Sequence, residues 1–254
     1  MKLNNLIPIA SRLKNRIAIK VRAVRNGKTW NVSQEYELNH AIEFMQQEHF
    51  LKLYSDLMAG RQRVSQGYVS DLILQEFFDN SKEQWQSFVD HIRNKTTLDI
   101  GPCVMSPIAG WDVSLQRHII EPLYLPIHEW QIKNLGRSVF SELICHGQQA
   151  EQPVPELFGM VDGAIFCRNM LDHTPHWPFV LSLISSYAAK GCRLLLWTDL
   201  DHGGKANEGH YDITPDSDSF RRLIVSLGFR IERECHNEKR ADKNWGCFAV
   251  KERV

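Results

Sequence analysis

The stretch TTLDIGPCVMSP, residues 96–107, decides the fold class of this chain. TTLDI is a candidate for a short strand that carries an acid, Asp99, and Gly101 follows it. Many nucleotide-binding loops begin with a strand that runs into a glycine turn. Such loops usually carry two further glycines, whereas this one has Cys103 and Met105 in their places. The stretch therefore predicts the first strand and ligand loop of an α/β domain, with an altered loop.

From residue 96 to the C-terminus, strand patterns alternate with helical ones. The further strand candidates are RHIIEP (117–122), SVFSELIC (138–145), VDGAIFC (161–167), CRLLLWTDL (192–200), FRIERECH (229–236) and WGCFAVKE (245–252). Alternation of this kind predicts an α/β fold with a mostly parallel sheet and helices on both faces. The last two strands, joined by a polar turn, suit an antiparallel edge.

The first third of the chain has a helical pattern. A single helix is expected through YELNHAIEFMQQEHFLKLYSDLM, residues 36–58, and Gly60 would end it. Ser81 and Gln84 form a capping-box pattern ahead of a later helix. We therefore divide the chain into a basic segment and helical lid or substrate region, residues 1–95, and a second domain, residues 96–254.

Composition excludes several classes of protein. The chain has 254 residues, 43% hydrophobic and 24% charged, and its formal net charge is zero, so no nucleic-acid partner is indicated. Its six cysteines form no C-x-x-C pair. There is no apolar run near the roughly 20 residues of a membrane span, and no signal-peptide pattern. We expect a reduced, cytoplasmic protein.

The first 30 residues have a charge pattern of their own. They contain eight Lys or Arg and no acid, whereas the rest of the chain has 22 basic residues against 30 acidic ones. Their apolar residues share one side of a helical wheel, which suits peripheral contact with an anionic membrane at its inner face. Asn26-Gly27 favours a hairpin instead, and cover for the protein's own core or a homodimer interface is a further alternative.

Residues 96–254 resemble class I S-adenosylmethionine-dependent methyltransferases in the order of their motifs. LDIG (98–101) takes the place of the first cofactor loop, and VDGAIFCRNMLDH (161–173) that of the fourth strand and the turn beside the methyl group. The resemblance implies a Rossmann-like seven-stranded sheet. It also implies that Glu121 holds the ribose and Glu151 lies at the adenine. The cofactor-binding residues implied in full are Asp99, Gly101, Pro102, Cys103, Glu121, Glu151 and Asn169.

The altered loop leaves an alternative open. Glycine permits unusual φ values and close approach of a cofactor, which cysteine and methionine do not permit freely. Gly101 can still form the tightest turn, Cys103 is small, and Met105 can lie to the side. We therefore expect a working enzyme, with a catalytically inactive, methyltransferase-like binding protein as the alternative.

Asn169, Asp172 and His173 have the i, i+3, i+4 spacing that puts three side chains on one face of a helix start. The pattern resembles the E-x-x-E-H turn of metal-dependent O-methyltransferases, with Asn and Asp in place of the two Glu. The resemblance implies Mg²⁺ or Mn²⁺ at these three residues. A fourth protein ligand is needed, and we expect His210 or His202 of a later glycine-rich loop in that role. The alternatives are that His173 is itself the base, oriented by Asp172, or that both residues only cap and pack.

A second candidate cluster follows the fifth strand. TDLDHGGKANEGHYD, residues 198–212, contains Asp199, His202 and His210 in a glycine-rich loop. Loops of this kind can close over a substrate. Asp199 or His202 is a candidate general base, although turn-forming residues in a solvated loop give the same pattern.

The function that the resemblance implies is O-methylation. The loop form and the basic leader are similar to methyltransferases of bacterial polysaccharide and glycan biosynthesis, so a sugar hydroxyl is the expected acceptor. A natural-product or quinone-like phenol is the alternative. Trp111, Trp177 and Tyr211 are candidates for a pocket wall, with core packing as their other role.

Overall fold

Seven strands form one mixed sheet, and helices cover both of its faces. The computed structural model describes residues 32–200, 211, 213, 216–235 and 244–253. The helices in these residues are α1 (Val32–Met45), α2 (Glu48–Met58), α3 (Asp71–Phe78), α4 (Lys82–Ile92), α5 (Tyr124–Leu135), α6 (Trp177–Tyr187) and α7 (Ser217–Ser226). The strands are β1 (Thr96–Ile100), β2 (Gln116–Ile120), β3 (Ile144–His146), β4 (Ala164–Arg168), β5 (Arg193–Asp199), β6 (Phe229–Cys235) and β7 (Asn244–Lys251).

The strand order is β3-β2-β1-β4-β5-β7-β6. Strands β1 to β5 all run parallel to one another, and β7 runs antiparallel to both β5 and β6. The predicted antiparallel pairing of the last two strands, β6 and β7, is confirmed. Of these two strands, β7 lies inside the sheet and β6 forms its edge. The order reverses at β1 and β4, so their carboxyl ends border the crevice where open α/β sheets bind ligands.

Each face of the sheet has its own core because side chains alternate along a strand. Leu98 and Ile100 of β1 lie in the core that contains residues of α6 and α7. Ile119 and Phe166 lie in the opposite core, which contains buried residues from all of α1 to α5. The N-terminal helices therefore share a core with the sheet.

The expected single helix over 36–58 is wrong, since the chain breaks at Gln46 and Gln47. Residues five apart on one helix point about 140° apart. The break allows both Met45 and Phe50 to be fully buried, and the Phe50 ring meets Phe44 edge to face, with centroids 5.8 Å apart. The expected cap at Ser81 is confirmed, because its hydroxyl accepts from the Gln84 amide at 3.2 Å.

Strand β3 is much shorter than the third strand that the sequence predicted. SVFSELIC contributes only its last residues to β3, Ile144–His146. The preceding residues form a loop in which Val139 and Phe140 are each 2% exposed. Gln131 of α5 holds this loop by accepting hydrogen bonds from the Ser138 hydroxyl (2.9 Å) and the Val139 amide (3.0 Å). The apolar pattern reflects burial without strand pairing.

Candidate cofactor and acceptor site

The loop after β1 contains two residues in the left-handed region, Gly101 (φ 73°) and Cys103 (φ 54°). Such a conformation costs a residue with a side chain about 1–2 kcal/mol. Met105 is not among the described residues with positive φ. Cys103 thus keeps a conformation that favours glycine, whereas the backbone at Met105 does not require one.

Gly101 is further constrained by Met170, which follows β4. A Cβ at Gly101 would overlap the Cγ of Met170 and lie 2.8 Å from its Cβ. Met170 is 9% exposed and belongs to the core beside α6. Glycine is therefore required here for both φ and space.

Glu121 follows β2 and is bound to the backbone of this loop. Its Oε2 accepts from the Cys103 amide at 2.8 Å, and its Oε1 accepts from the Leu123 amide at 2.9 Å. The side chain is 4% exposed. Burial raises the pKa of Glu121, and the two backbone hydrogen bonds oppose that rise. The carboxylate is thus held in one orientation beside the first loop.

Asp99, in β1, points toward the face covered by the N-terminal helices. It is 1% exposed, and its Oδ2 accepts from the Ser106 hydroxyl at 2.5 Å. Burial raises the pKa of Asp99 to about 7; the Ser106 hydrogen bond opposes this rise, and the charge of Glu121 adds to it. Near neutral pH this acid is therefore divided between its two protonation states.

Glu151 lies in the loop after β3, where the resemblance implies an adenine contact. Its Oε1 accepts from the hydroxyl of Thr174, which also accepts from the His176 amide at 3.0 Å. The hydrogen bond joins this loop to the segment after β4. The contact of Glu151 with adenine stays a prediction.

The expected helical face at Asn169, Asp172 and His173 is wrong. Asn169 has φ 52°, and Leu171–His173 forms a single 3₁₀ turn, so the next helix begins only at Trp177. The Asn169 amide donates to the carbonyl of Trp197 at 2.7 Å, so the chain still follows β5 at that point. Asp172 and His173 do come together, with 3.9 Å between Oδ2 and Nε2.

Glu37 of α1 is a residue of this site that the sequence analysis missed. Its Oε1 lies 3.4 Å from Nδ1 of His173, and each side chain is 25% exposed. Burial alone would lower the pKa of His173. The hydrogen bond to Glu37 and the charges of Asp172, Glu37 and Glu121 outweigh burial and raise it. No sequence pattern indicates this contact, because the register of α1 over the sheet depends on tertiary packing.

The described donors do not fit the predicted metal. No group of three His, Cys, Asp or Glu side chains in the described residues could hold an ion. Nδ1 of His173 faces Glu37, and Asn169 lies outside the helical face that would have aligned it with Asp172. The proposed fourth ligand, His210, lies outside the described residues. We therefore derive no step through a metal.

The second predicted cluster is described only in part. Asp199 ends β5, is 8% exposed and is paired in register with Asn244 of β7. His202 lies outside the described residues, as does the basic segment of residues 1–30. The Tyr211 amide donates to the carbonyl of Asp172 at 2.6 Å, which brings the end of this loop to the turn after β4.

A cavity of about 270 Å³ lies between the N-terminal helices and the loop after β1. Trp111 lines it, as predicted, together with Trp85 and Arg168, which the sequence analysis did not select. Trp177 packs against Phe220 instead, with ring centroids 5.7 Å apart in the other core.

No helix in the described part of the chain is long and apolar enough to cross a membrane.

The order of the sheet with its antiparallel β7 gives the chain an α/β fold with a Rossmann-like seven-stranded sheet. This is the sheet of class I S-adenosylmethionine-dependent methyltransferases, and an N-terminal helical region precedes it, so the predicted fold class is confirmed.

No protein-family model matches the chain, and no curated protein matches it. Similar solved structures include the CurJ carbon methyltransferase, at 13% identity and TM-score 0.47, over 64% of this chain and 50% of that one. The [4+2]-cyclase SpnF has 12% identity and TM-score 0.49, over 70% and 83%. The N-methyltransferase NodS of Bradyrhizobium japonicum, in complex with S-adenosylhomocysteine, has 9% identity and TM-score 0.49, over 68% and 87%. Likenesses at this level assign no activity to the chain.

Proposed function

We propose that this chain is an S-adenosylmethionine-dependent methyltransferase. The observation that carries the proposal is that Glu121, which follows β2, is bonded to the loop after β1, and this loop borders the crevice where the strand order reverses. Each of its carboxylate oxygens accepts one backbone hydrogen bond, from Cys103 or Leu123. A carboxylate oxygen has a second acceptor site, so the pair could take the two hydroxyls of a ribose.

When bound, S-adenosylmethionine would supply an electrophilic methyl group for in-line attack by an acceptor oxygen. His173 is the base that we assign to this attack. Its Nδ1 faces Glu37 and its Nε2 lies 3.9 Å from Asp172, so the two carboxylates would stabilise the imidazolium that forms when the ring takes the hydroxyl proton. The raised pKa of His173 makes it a stronger base once it is neutral.

The acceptor is proposed at two levels. The general proposal is a small-molecule or glycan acceptor. At the finer level, the resemblance implies a sugar hydroxyl in glycan or surface-polysaccharide biosynthesis, with a natural-product or quinone-like phenol as the alternative, and we propose the phenol. The aromatic residues at the cavity wall, Trp85 and Trp111, favour the phenol.

The first experiment is calorimetric titration of the purified chain with S-adenosylhomocysteine. We expect binding, and we expect Glu121→Ala to weaken it about 10- to 150-fold, because charged hydrogen bonds contribute roughly 1.5–3 kcal/mol. Glu252→Ala is the control, since Glu252 follows β7 at the amino ends of the parallel strands, whereas Glu121 lies at their carboxyl ends. If the wild-type chain does not bind S-adenosylhomocysteine at high concentration, the enzyme proposal is refuted in favour of the catalytically inactive, methyltransferase-like binding protein.

A further inference from the structure

The cavity between the N-terminal helices and the sheet has mostly apolar walls. Three aromatic side chains line it: Trp85, Trp111 and Phe166. Each has a relative solvent exposure of no more than 6%, so the core holds the rings in place. Trp111 meets Phe166 edge to face, with centroids 6.2 Å apart. Leu72, which is 46% exposed, also lines the cavity, so part of the wall lies at the protein surface. These walls suit a flat, apolar ligand.

The one basic side chain among the residues lining this cavity has its charge compensated. Arg168 donates to Glu76 through two parallel hydrogen bonds, Nε to Oε2 at 2.9 Å and Nη2 to Oε1 at 2.8 Å. Its guanidinium carbon also lies 5.0 Å from the centre of the Trp197 ring. Both oxygens of Glu76 are thus engaged, and the pair presents no net charge to a ligand.

Most of the polar side chains of the wall are already bonded to another side chain or to the backbone, and Tyr68 and Ser70 are bonded to each other. The Ser106 hydroxyl donates to Asp99, and the Gln62 amide donates to the carbonyl of Leu53 at 3.1 Å. A ligand with many hydroxyls would therefore lose more hydrogen bonds to water than it gained. An anion would have Asp99 and the Glu76-compensated Arg168 as neighbours, so it would find no unpaired cation among the cavity's residues.

We propose that this cavity binds the methyl acceptor, and that the acceptor is an uncharged, flat molecule of one or two fused rings, of the phenol class. The inference rests on the proposed methyl transfer for the role of the ligand. Gly101 and Pro102 of the first loop line one side of the cavity, which places its contents beside the predicted cofactor loop. A volume of about 270 Å³ is below the usual range for drug-sized ligands, which limits the size of the acceptor.

The test is calorimetric binding of three probes without cofactor: β-naphthol, β-naphthoate and methyl glucoside. We expect β-naphthol to bind at least about tenfold more tightly than either of the others, because they bring a charge or several hydroxyls into an apolar cavity. Equal or tighter binding of β-naphthoate or methyl glucoside would overturn the proposal, as would failure of β-naphthol to bind.

Leu72→Trp tests where β-naphthol binds. We expect the larger side chain to occupy the cavity and abolish binding, whereas Leu115→Trp changes a residue that is 71% exposed and outside the cavity wall. Leu72→Phe replaces the first variant if that one does not fold. If β-naphthol binds with unchanged affinity to the Leu72 variant that folds, the site is refuted. Titration with S-adenosylhomocysteine separates the two proposals: cofactor binding without β-naphthol binding refutes the cavity alone, and the reverse refutes methyl transfer alone.

Discussion

Glu37 and His173 join the N-terminal helical region to the carboxyl end of the sheet, with 3.4 Å between Oε1 and Nδ1. The contact connects α1 with the turn after β4, beside the buried carboxyl of Asp172. It places a carboxylate on each side of one imidazole, and the charges of both favour the protonated ring. Helix α1 therefore contributes one side chain, Glu37, to the environment of His173.

We predict that Glu37→Gln lowers the pKa of His173 toward its ordinary value of about 6.5. A raised folded-state pKa gives stability that is fully present below the unfolded value and is lost as pH rises through the folded value. The variant should therefore lose about 0.5–1 kcal/mol of unfolding free energy at pH 5.5 and less at pH 8.5. Denaturant unfolding at both pH values and NMR titration of the His173 ring measure these effects.

Glu43→Gln is the matched control for this prediction. Glu43 lies on the same helix with an exposed side chain, so the variant should leave the titration of His173 unchanged. An unchanged His173 pKa in the Glu37 variant would show that the contact does not stabilise the imidazolium.

The sequence predicted the fold better than it predicted the site. β1 appears with its predicted ends. β5 lies within the predicted run because its centre is a continuous apolar segment, as is typical of a buried central strand. SVFSELIC failed as a strand because Val139 and Phe140 are buried in a loop, and burial gives the same apolar signal. The break at Gln46 depends on how two helices pack, which helical periodicity does not encode.

At the site, residues attached to strand ends were found, and residues brought from elsewhere were not. Glu121 and Asp99 follow or end strands, so their places come from the order of the sheet. Arg168 is the exception, since it ends β4 but was missed, and Glu37 depends on which helix covers which edge. We predicted a helix at Asn169 because its spacing to Asp172 is typical of one helical face. The left-handed backbone of Asn169 is incompatible with a regular α-helix there.

We predict that glycine and alanine have opposite effects at the two altered positions of the first loop. Cys103→Gly should be more stable than Cys103→Ala by about 1 kcal/mol, because both lose the thiol and only alanine keeps the left-handed strain. Met105→Gly should be less stable than Met105→Ala by about 0.5–1 kcal/mol, because φ is not positive there. Chemical unfolding of the four variants tests this. The same order at both positions would contradict the assigned φ of Cys103.

Substitution of Gly101 tests whether Met170 limits the space at the first loop. Gly101→Ala combines a positive φ with overlap on Met170, whereas Gly136→Ala has a φ of 82° and no atom within 4 Å of the new Cβ. We expect Gly101→Ala to be the more destabilising by about 1–3 kcal/mol. Adding Met170→Ala should reduce the extra loss caused by the Gly101 substitution, measured by a double-mutant cycle. Additive effects would mean that the two residues do not compete for space.

Removal of metal tests the mechanism that the described residues favour. Because their donors form no metal site, we expect S-adenosylhomocysteine affinity and methyl transfer to be unchanged after chelation and dialysis. His173→Ala should lower turnover about 100-fold or more if the ring is the base. Loss of activity on chelation, with recovery on adding Mg²⁺ or Mn²⁺, would restore the metal mechanism and assign His210 a role.

Asp99 should make the folded state less stable as pH rises. Its pKa is raised by burial from 3.8 to about 7, so its contribution is most favourable below pH 4 and is lost as pH rises toward 7. Asp99→Asn removes the ionisation and keeps an oxygen that can accept from Ser106. We expect the variant to gain on the order of 2–4 kcal/mol of unfolding free energy at pH 8 and little at pH 4. Asp90→Asn, at an exposed position of α4, should show no such gain. Denaturant unfolding across this pH range measures both variants, and an Asp99→Asn protein less stable than wild type at pH 8 would mean that the ionised carboxylate is itself stabilised in the fold.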